Sequence, residues 1–230
     1  MKLSVLFAMY LMLSAKCAAG YTSSQRVETY GTPVRQRLEP AFVAAQVSYP
    51  PPELTLIGLK DEKRLELWAP DKQGRQCLIK TYPILAASGR PGPKLREGDL
   101  QVPEGIYAIE SLNPNSRFHL SLRVNYPNAE DRRRAREDGR TQLGGDIMIH
   151  GSDASIGCLA MGDPASEELF VLASLTGLSK IRVILCPVDF RKKADVTLSP
   201  GQPKWVPELH AKIRTELAKY VMAKPSVPAR

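Results

Sequence analysis

Apolar residues along this chain fall mostly in short runs bounded by turn-forming residues. Three such runs, LTLIGL (54–59), RLELWAP (64–70) and QCLIKTYPILAA (76–87), are separated by KDEK and DKQGR and read as β-strands. GIYAIE (105–110), DIMIH (146–150) and KIRVILCP (180–187) follow the same pattern. In RFHLSLRV (117–124), Phe118, Leu120, Leu122 and Val124 alternate with Arg117, His119, Ser121 and Arg123. One face of that strand is core, and the other is polar and could line a groove.

The pattern shifts to helical spacing twice. DPASEELFVLASLTG (163–177) starts with Asp163 at the cap and Pro164 in the first turn, with Leu169, Leu172 and Ala173 on one face. PELHAKIRTELAKYVMAK (207–224) spaces Leu209, Ile213, Leu217 and Val221 by four, with His210 facing solvent. The final PSVPAR reads as disordered. SGRPGPKLREGDLQVPEG (88–105) is a glycine- and proline-rich loop of a length that is usually functional. NYPNAEDRRRAREDGRTQLGG (125–145) is a charged connector, and Arg132–Arg136 reads as a solvated face with attraction to an anionic polymer as the sharper alternative. Thr22 to Pro52 lacks clean periodicity and ends in YPPPE, so it reads as an extended leader. The pattern predicts a strand-dominated α+β chain with one or two packed helices and no βαβ alternation.

The first twenty residues, MKLSVLFAMYLMLSAKCAAG, add a compartment. A lysine, an apolar run and small residues make a secretory signal peptide with cleavage after Ala19. The predicted organisation is a signal peptide at 1–19, an extended leader at 20–52, a strand-rich domain at 53–190 and an extension with a helix at 191–230. No other segment is apolar enough to span a membrane. The 230 residues carry a net charge of +8 with a pI near 9.4, which favours anionic partners. Export argues against nucleic acid as that partner. Removal of Cys17 leaves Cys77, Cys158 and Cys186, an odd number in an oxidising compartment. Cys77 and Cys186 sit in strand-like runs as small hydrophobes. Cys158 stands apart in a polar turn.

That turn is IMIHGSDASIGCLAM (147–161), with His150 and Cys158 eight positions apart. A strand ending at His150 and a reversal through GSDAS can bring imidazole and thiol to the same end of a sheet. An ordinary thiol is protonated at neutral pH, and a nearby imidazole can take its proton. Gly157 lets the chain turn sharply, so the N–H groups of Gly157 and Cys158 are candidate oxyanion donors. Spacing by itself favours a structural strand-end histidine beside a part-buried cysteine over catalysis. A zinc site lacks ligands beyond this pair and Asp153, so neither metal nor cofactor is expected. No Cys-x-x-Cys is present to support redox chemistry.

The stretch resembles the L,D-transpeptidase catalytic (YkuD) domain family. The resemblance rests on His150-Gly151 followed by Ser155-Ile156-Gly157-Cys158, and on EGDLQVPEGIYAI, LNPNSRFHLSL and YPNAEDR occurring upstream in the family's order. The short gap between the two halves is similar to the YafK-like branch, and the resemblance covers roughly Leu54 to Phe190. Ala160 stands where the wider family has an arginine.

The resemblance implies a YkuD-type β-rich domain in the periplasm. Cys158 would be the nucleophile and His150 the general base, with Gly157, Gly151 and Ser155 shaping the site or the oxyanion hole. Tyr126 and His119 would be candidate substrate contacts, with a loop anchor an equal reading for Tyr126 and a structural or groove-lining histidine preferred to a second catalytic one for His119. The substrate would be a peptidoglycan stem peptide, attacked at the L-centre of diaminopimelate. Cross-linking, lipoprotein anchoring or, as in the YafK-like branch, hydrolytic release of a wall-anchored lipoprotein would follow. A non-catalytic peptidoglycan-binding module of the same fold is the alternative.

Overall fold

The computed structural model describes residues 20–198 and 200–221; the signal-peptide assignment and the PSVPAR end lie outside them. Eight strands form one mixed sheet: β1 (Leu54–Leu59), β2 (Arg64–Pro70), β3 (Gln76–Pro83), β4 (Gly105–Ser116), β5 (His119–Val124), β6 (Met148–His150), β7 (Leu159–Ala160) and β8 (Ile181–Cys186). Their order is β3-β2-β1-β8-β4-β5-β6-β7. The β1–β8 and β6–β7 pairs are parallel, and the other neighbours are antiparallel.

The described residues hold four α-helices rather than one or two: α1 (Ser23–Ala44), α2 (Ala129–Glu137), α3 (Asp163–Thr176) and α4 (Val206–Leu217). Both sheet faces are covered, which is why LTLIGL is buried at every position. One core joins Leu56, Leu65, Leu67, Leu122 and Val183 to α1 and α3. The other joins Ile57, Leu59, Trp68 and Ile184 to Leu209, Ile213 and Leu217 of α4. Val221, the fourth position of the α4 stripe, lies past the helix end and is exposed.

The segment read as an extended leader is α1, despite Pro33 and Pro40 within it. Thr22 and Gln25 close a capping box at its start. Val34, Leu38 and Phe42, spaced by four, are fully buried. Each such side chain contributes roughly 1.5–3 kcal/mol on burial, enough together to offset a proline at about 3 kcal/mol. Arg37 then ties α1 to Glu167 and Glu168 of α3 at 2.9 and 2.8 Å. A single apolar stripe was too narrow to read as periodic, but it matches the surface of α3.

The charged connector likewise contains a helix, α2. Asn128 caps it by accepting from the N–H groups of Glu130 and Asp131. Arg133 pairs with Glu130 and Glu137 along the helix. Arg134 is buried under the Trp205 ring, 4.6 Å from its centroid, and pairs with Glu130 and Glu208. Much of the basic run is therefore neutralised within the fold.

Candidate active site

The β5–β6–β7 corner builds the site. Register places Ser121 opposite His150 and Arg123 opposite Met148, while His150 lies beside Ala160. Leu120, Leu122, Ile149 and Leu159 enter the core. With a period of two, Arg123, Met148, His150 and Ala160 share the opposite face. Cys158 joins that face immediately before β7. Its Sγ accepts from the Met148 N–H and donates to the Asp146 carbonyl, each at 3.4 Å.

His150 is 2% exposed, and its Nδ1–H donates to the Gly151 carbonyl at 2.6 Å. A carbonyl can only accept, so the Nδ1 proton is assigned and Nε2 of the neutral ring is free to take a proton. Phe118 covers the ring at a centroid distance of 4.7 Å. Burial lowers the His150 pKa, partly opposed by the Gly151 hydrogen bond. Burial also raises the Cys158 thiol, with the Met148 N–H opposing and the Asp146 charge adding to the rise. Both shifts favour a neutral imidazole and a neutral thiol.

The two glycines are needed for different reasons. A Cβ on Gly151 would fall 2.5 Å from Asp163 Oδ1 and 2.8 Å from the Phe118 carbonyl. Gly157 has φ +92°, in the region that favours glycine. Ser155 Oγ–H donates to the Cys158 carbonyl at 2.6 Å and accepts the Cys158 N–H at 2.9 Å, clamping the turn around Cys158. Asp163 does not cap α3. The cap position is Gly162, and the Asp163 carboxylate instead accepts the Ser152 N–H at 2.8 Å.

Three expectations change. The Gly157 N–H donates to Ser88 Oγ at 2.7 Å, and the Cys158 N–H to Ser155, so neither expected oxyanion donor is free in this structure. Tyr126 is buried, and its hydroxyl donates toward the Lys94 and Leu143 carbonyls at 3.3 and 3.4 Å. It anchors a loop and is not on the groove surface. His119 leaves the groove as well. At φ +69° it packs edge-on to Tyr30 of α1, and its Nε2–H donates to Glu167 of α3 at 3.1 Å.

Sequence reasoning missed Ser88, Asp146 and the Met148 N–H. Ser88 lies 69 positions from Gly157, and no local pattern joins them. Cys77, Cys158 and Cys186 are all free thiols, with Cys186 buried in the α4 core. No helix among the described residues is long and apolar enough to cross a membrane.

A thiol and an imidazole on one face of a mixed sheet, beside a tight Ser-x-Gly-Cys turn, define the candidate site. The L,D-transpeptidase catalytic domain (YkuD) family matches residues 55–184, and the chain belongs to that family, whose proteins act on peptidoglycan. The YafK proteins of Escherichia coli strains K12 and O157:H7, whose names assign them provisionally to the L,D-transpeptidases, are each 31% identical over 192 residues. Those matches span 81% of this chain and 70% of theirs. The helical cell shape determining protein Pgp2 of Campylobacter jejuni matches with TM-score 0.47 and 17% identity, over 75% of this chain and 71% of that one. A mutant form of Pgp2 matches with TM-score 0.46 and 21% identity, over 58% of this chain and 46% of that chain, less than half its length. Bd1075 of Bdellovibrio bacteriovorus matches with TM-score 0.44 and 19% identity, over 76% of this chain and 59% of that one.

Proposed function

We propose that this protein is a periplasmic cysteine enzyme that opens a peptidoglycan amide at the L-centre of diaminopimelate. The observation that carries the reading is the tautomer of His150. Its Nδ1–H is held by the Gly151 carbonyl, and its basic Nε2 belongs to the same sheet face as Cys158. In this reaction Cys158 Sγ attacks the carbonyl carbon while its proton passes to His150 Nε2. The C–N bond breaks, and the imidazolium returns the proton to the departing amine. The resulting thioester on Cys158 is then resolved by an acceptor. An amine would close a cross-link or anchor a lipoprotein, and water would release the acyl chain.

Water is the proposed acceptor, with a wall-anchored lipoprotein as the leaving amine, in line with the likeness to YafK. Purified protein lacking residues 1–19 is incubated with tetrapeptide muropeptides and with lipoprotein-linked ones, and products are read by mass. Free lipoprotein is the expected product, whereas dimeric muropeptides would replace water by an amine. Cys158→Ala should reduce either product to background while leaving folding and sacculus binding intact. Full turnover by that variant would remove Cys158 from the reaction. A protein that binds sacculi without forming any covalent adduct with a carbapenem-type β-lactam would be the non-catalytic binding module instead.

A further inference from the structure

Ser88 does more than hold the Gly157 N–H. It also lines a cavity of about 180 Å³, together with Lys60, Asp61, Lys63, Arg90 and Pro187. The charges there are unevenly balanced. Lys60 is matched by Glu104 at 2.9 Å, and Asp61 is taken by Lys193 from outside the cavity. Lys63 and Arg90 have no acidic partner among the described residues, leaving the cavity cationic.

The cavity wall is also pinned in place. Lys60 Nζ donates to the Gly92 and Val102 carbonyls, both at 3.0 Å, drawing two ends of the 88–105 loop together. Glu104 accepts the Gly92 N–H at 2.7 Å, and Gln101 accepts the Arg90 N–H at 2.9 Å. Ser88 Oγ–H donates to the Leu100 carbonyl at 2.7 Å. Gly89 has φ +102°, a backbone conformation that favours glycine. A preorganised wall loses little entropy on binding.

We infer that this cavity is a subsite for the C-terminal carboxylate of a stem tetrapeptide, held by Lys63 and Arg90 while the scissile carbonyl sits at Cys158. One hydrogen bond, from Gly157 N–H to Ser88 Oγ, joins the subsite to the residue preceding the nucleophile. Filling the cavity thus also bears on the serine that occupies that N–H. The inference rests on the proposed reaction at Cys158, and it also extends to binding without turnover.

The test uses a Cys158→Ala background, so binding is read separately from chemistry. A stem tetrapeptide with a free terminal carboxylate and its C-terminal carboxamide are titrated into Cys158→Ala protein and into the triple variant that adds Lys63→Ala and Arg90→Ala. Both added changes are at exposed positions and should leave the melting temperature unchanged. Cys158→Ala protein should bind the carboxylate form roughly tenfold more tightly, given two partly solvated ion pairs. The triple variant should lose that preference, and so should the Cys158→Ala protein in high salt. Equal binding of the two peptides by Cys158→Ala protein, or a preference that survives in the triple variant, overturns the subsite. Wild-type turnover of either peptide reports on the reaction independently of both results.

Discussion

Two histidines are buried in this chain, and they are held in opposite ways. His150 has a backbone carbonyl on Nδ1 and keeps Nε2 as a base. His210, on α4, donates Nε2–H to Glu104 at 2.8 Å and lies against the Phe190 ring. Glu104 is itself held by Lys60 and the Gly92 N–H. Burial alone would raise the Glu104 carboxyl, but Lys60 and His210 more than offset that and keep it below its ordinary range. The same side chain therefore has a ring nitrogen open to a proton in one place and is a structural tie in the other. The difference lies in the partner: a backbone carbonyl accepts the Nδ1–H of His150, whereas a buried carboxylate accepts the Nε2–H of His210.

Removing each imidazole should separate the two roles. His150→Asn retains an N–H donor for the Gly151 carbonyl and removes the base. Turnover should fall by about 10²–10⁴-fold with little change in melting temperature. Activity within tenfold of wild type would make His150 another structural tie.

His210→Ala should do the reverse. Leaving a buried carboxylate short of one hydrogen-bond partner costs about 3 kcal/mol, which in a chain of this size lowers the melting temperature by roughly 6–12 °C. Turnover measured well below the transition should stay within about threefold. A large loss of kcat in a fully folded variant would show that α4 acts on the site through Glu104 and the 88–105 loop. The pair also has a pH signature. Because the Glu104 carboxyl is depressed on folding, its stabilisation is complete above its ordinary pKa of 4.5 and is lost as pH falls through the lower folded value. Acid titration of stability should flatten in Glu104→Gln.

The smallest effect concerns the resting site. A His150 pKa lowered by burial stays neutral further into acid than its ordinary 6.5, so the acid limb of kcat/KM should fall below that pH. Alkylation of Cys158 by iodoacetamide should remain slow until above pH 9, the ordinary value from which burial raises the thiol. Fast alkylation at pH 7 would mean that a thiolate–imidazolium pair already exists at rest.

Local pattern accounts for much of the molecule. Seven of the eight strands follow apolar runs, and α3 and α4 follow helical spacing. The missing strand, Leu159–Ala160, has only two residues and exists through its pairing with β6. The His-Gly and Ser-x-Gly-Cys elements were legible because strand end, tight turn and glycine requirement are neighbours in the chain.

The sequence by itself thus determined the sheet-forming runs, the pairing of His150 with Cys158 as candidate chemistry, and the family. Tertiary structure alone decided which partner each polar group has. It made 23–44 a helix because three apolar side chains meet α3, it buried Tyr126 and His210 against groups from distant segments, and it tied His119 to Tyr30 and Glu167. It set Ser88 on the Gly157 N–H across 69 positions. Secondary structure and turn chemistry depend on neighbours in sequence, whereas hydrogen-bond partners and local dielectric depend on which segments the packed core brings together.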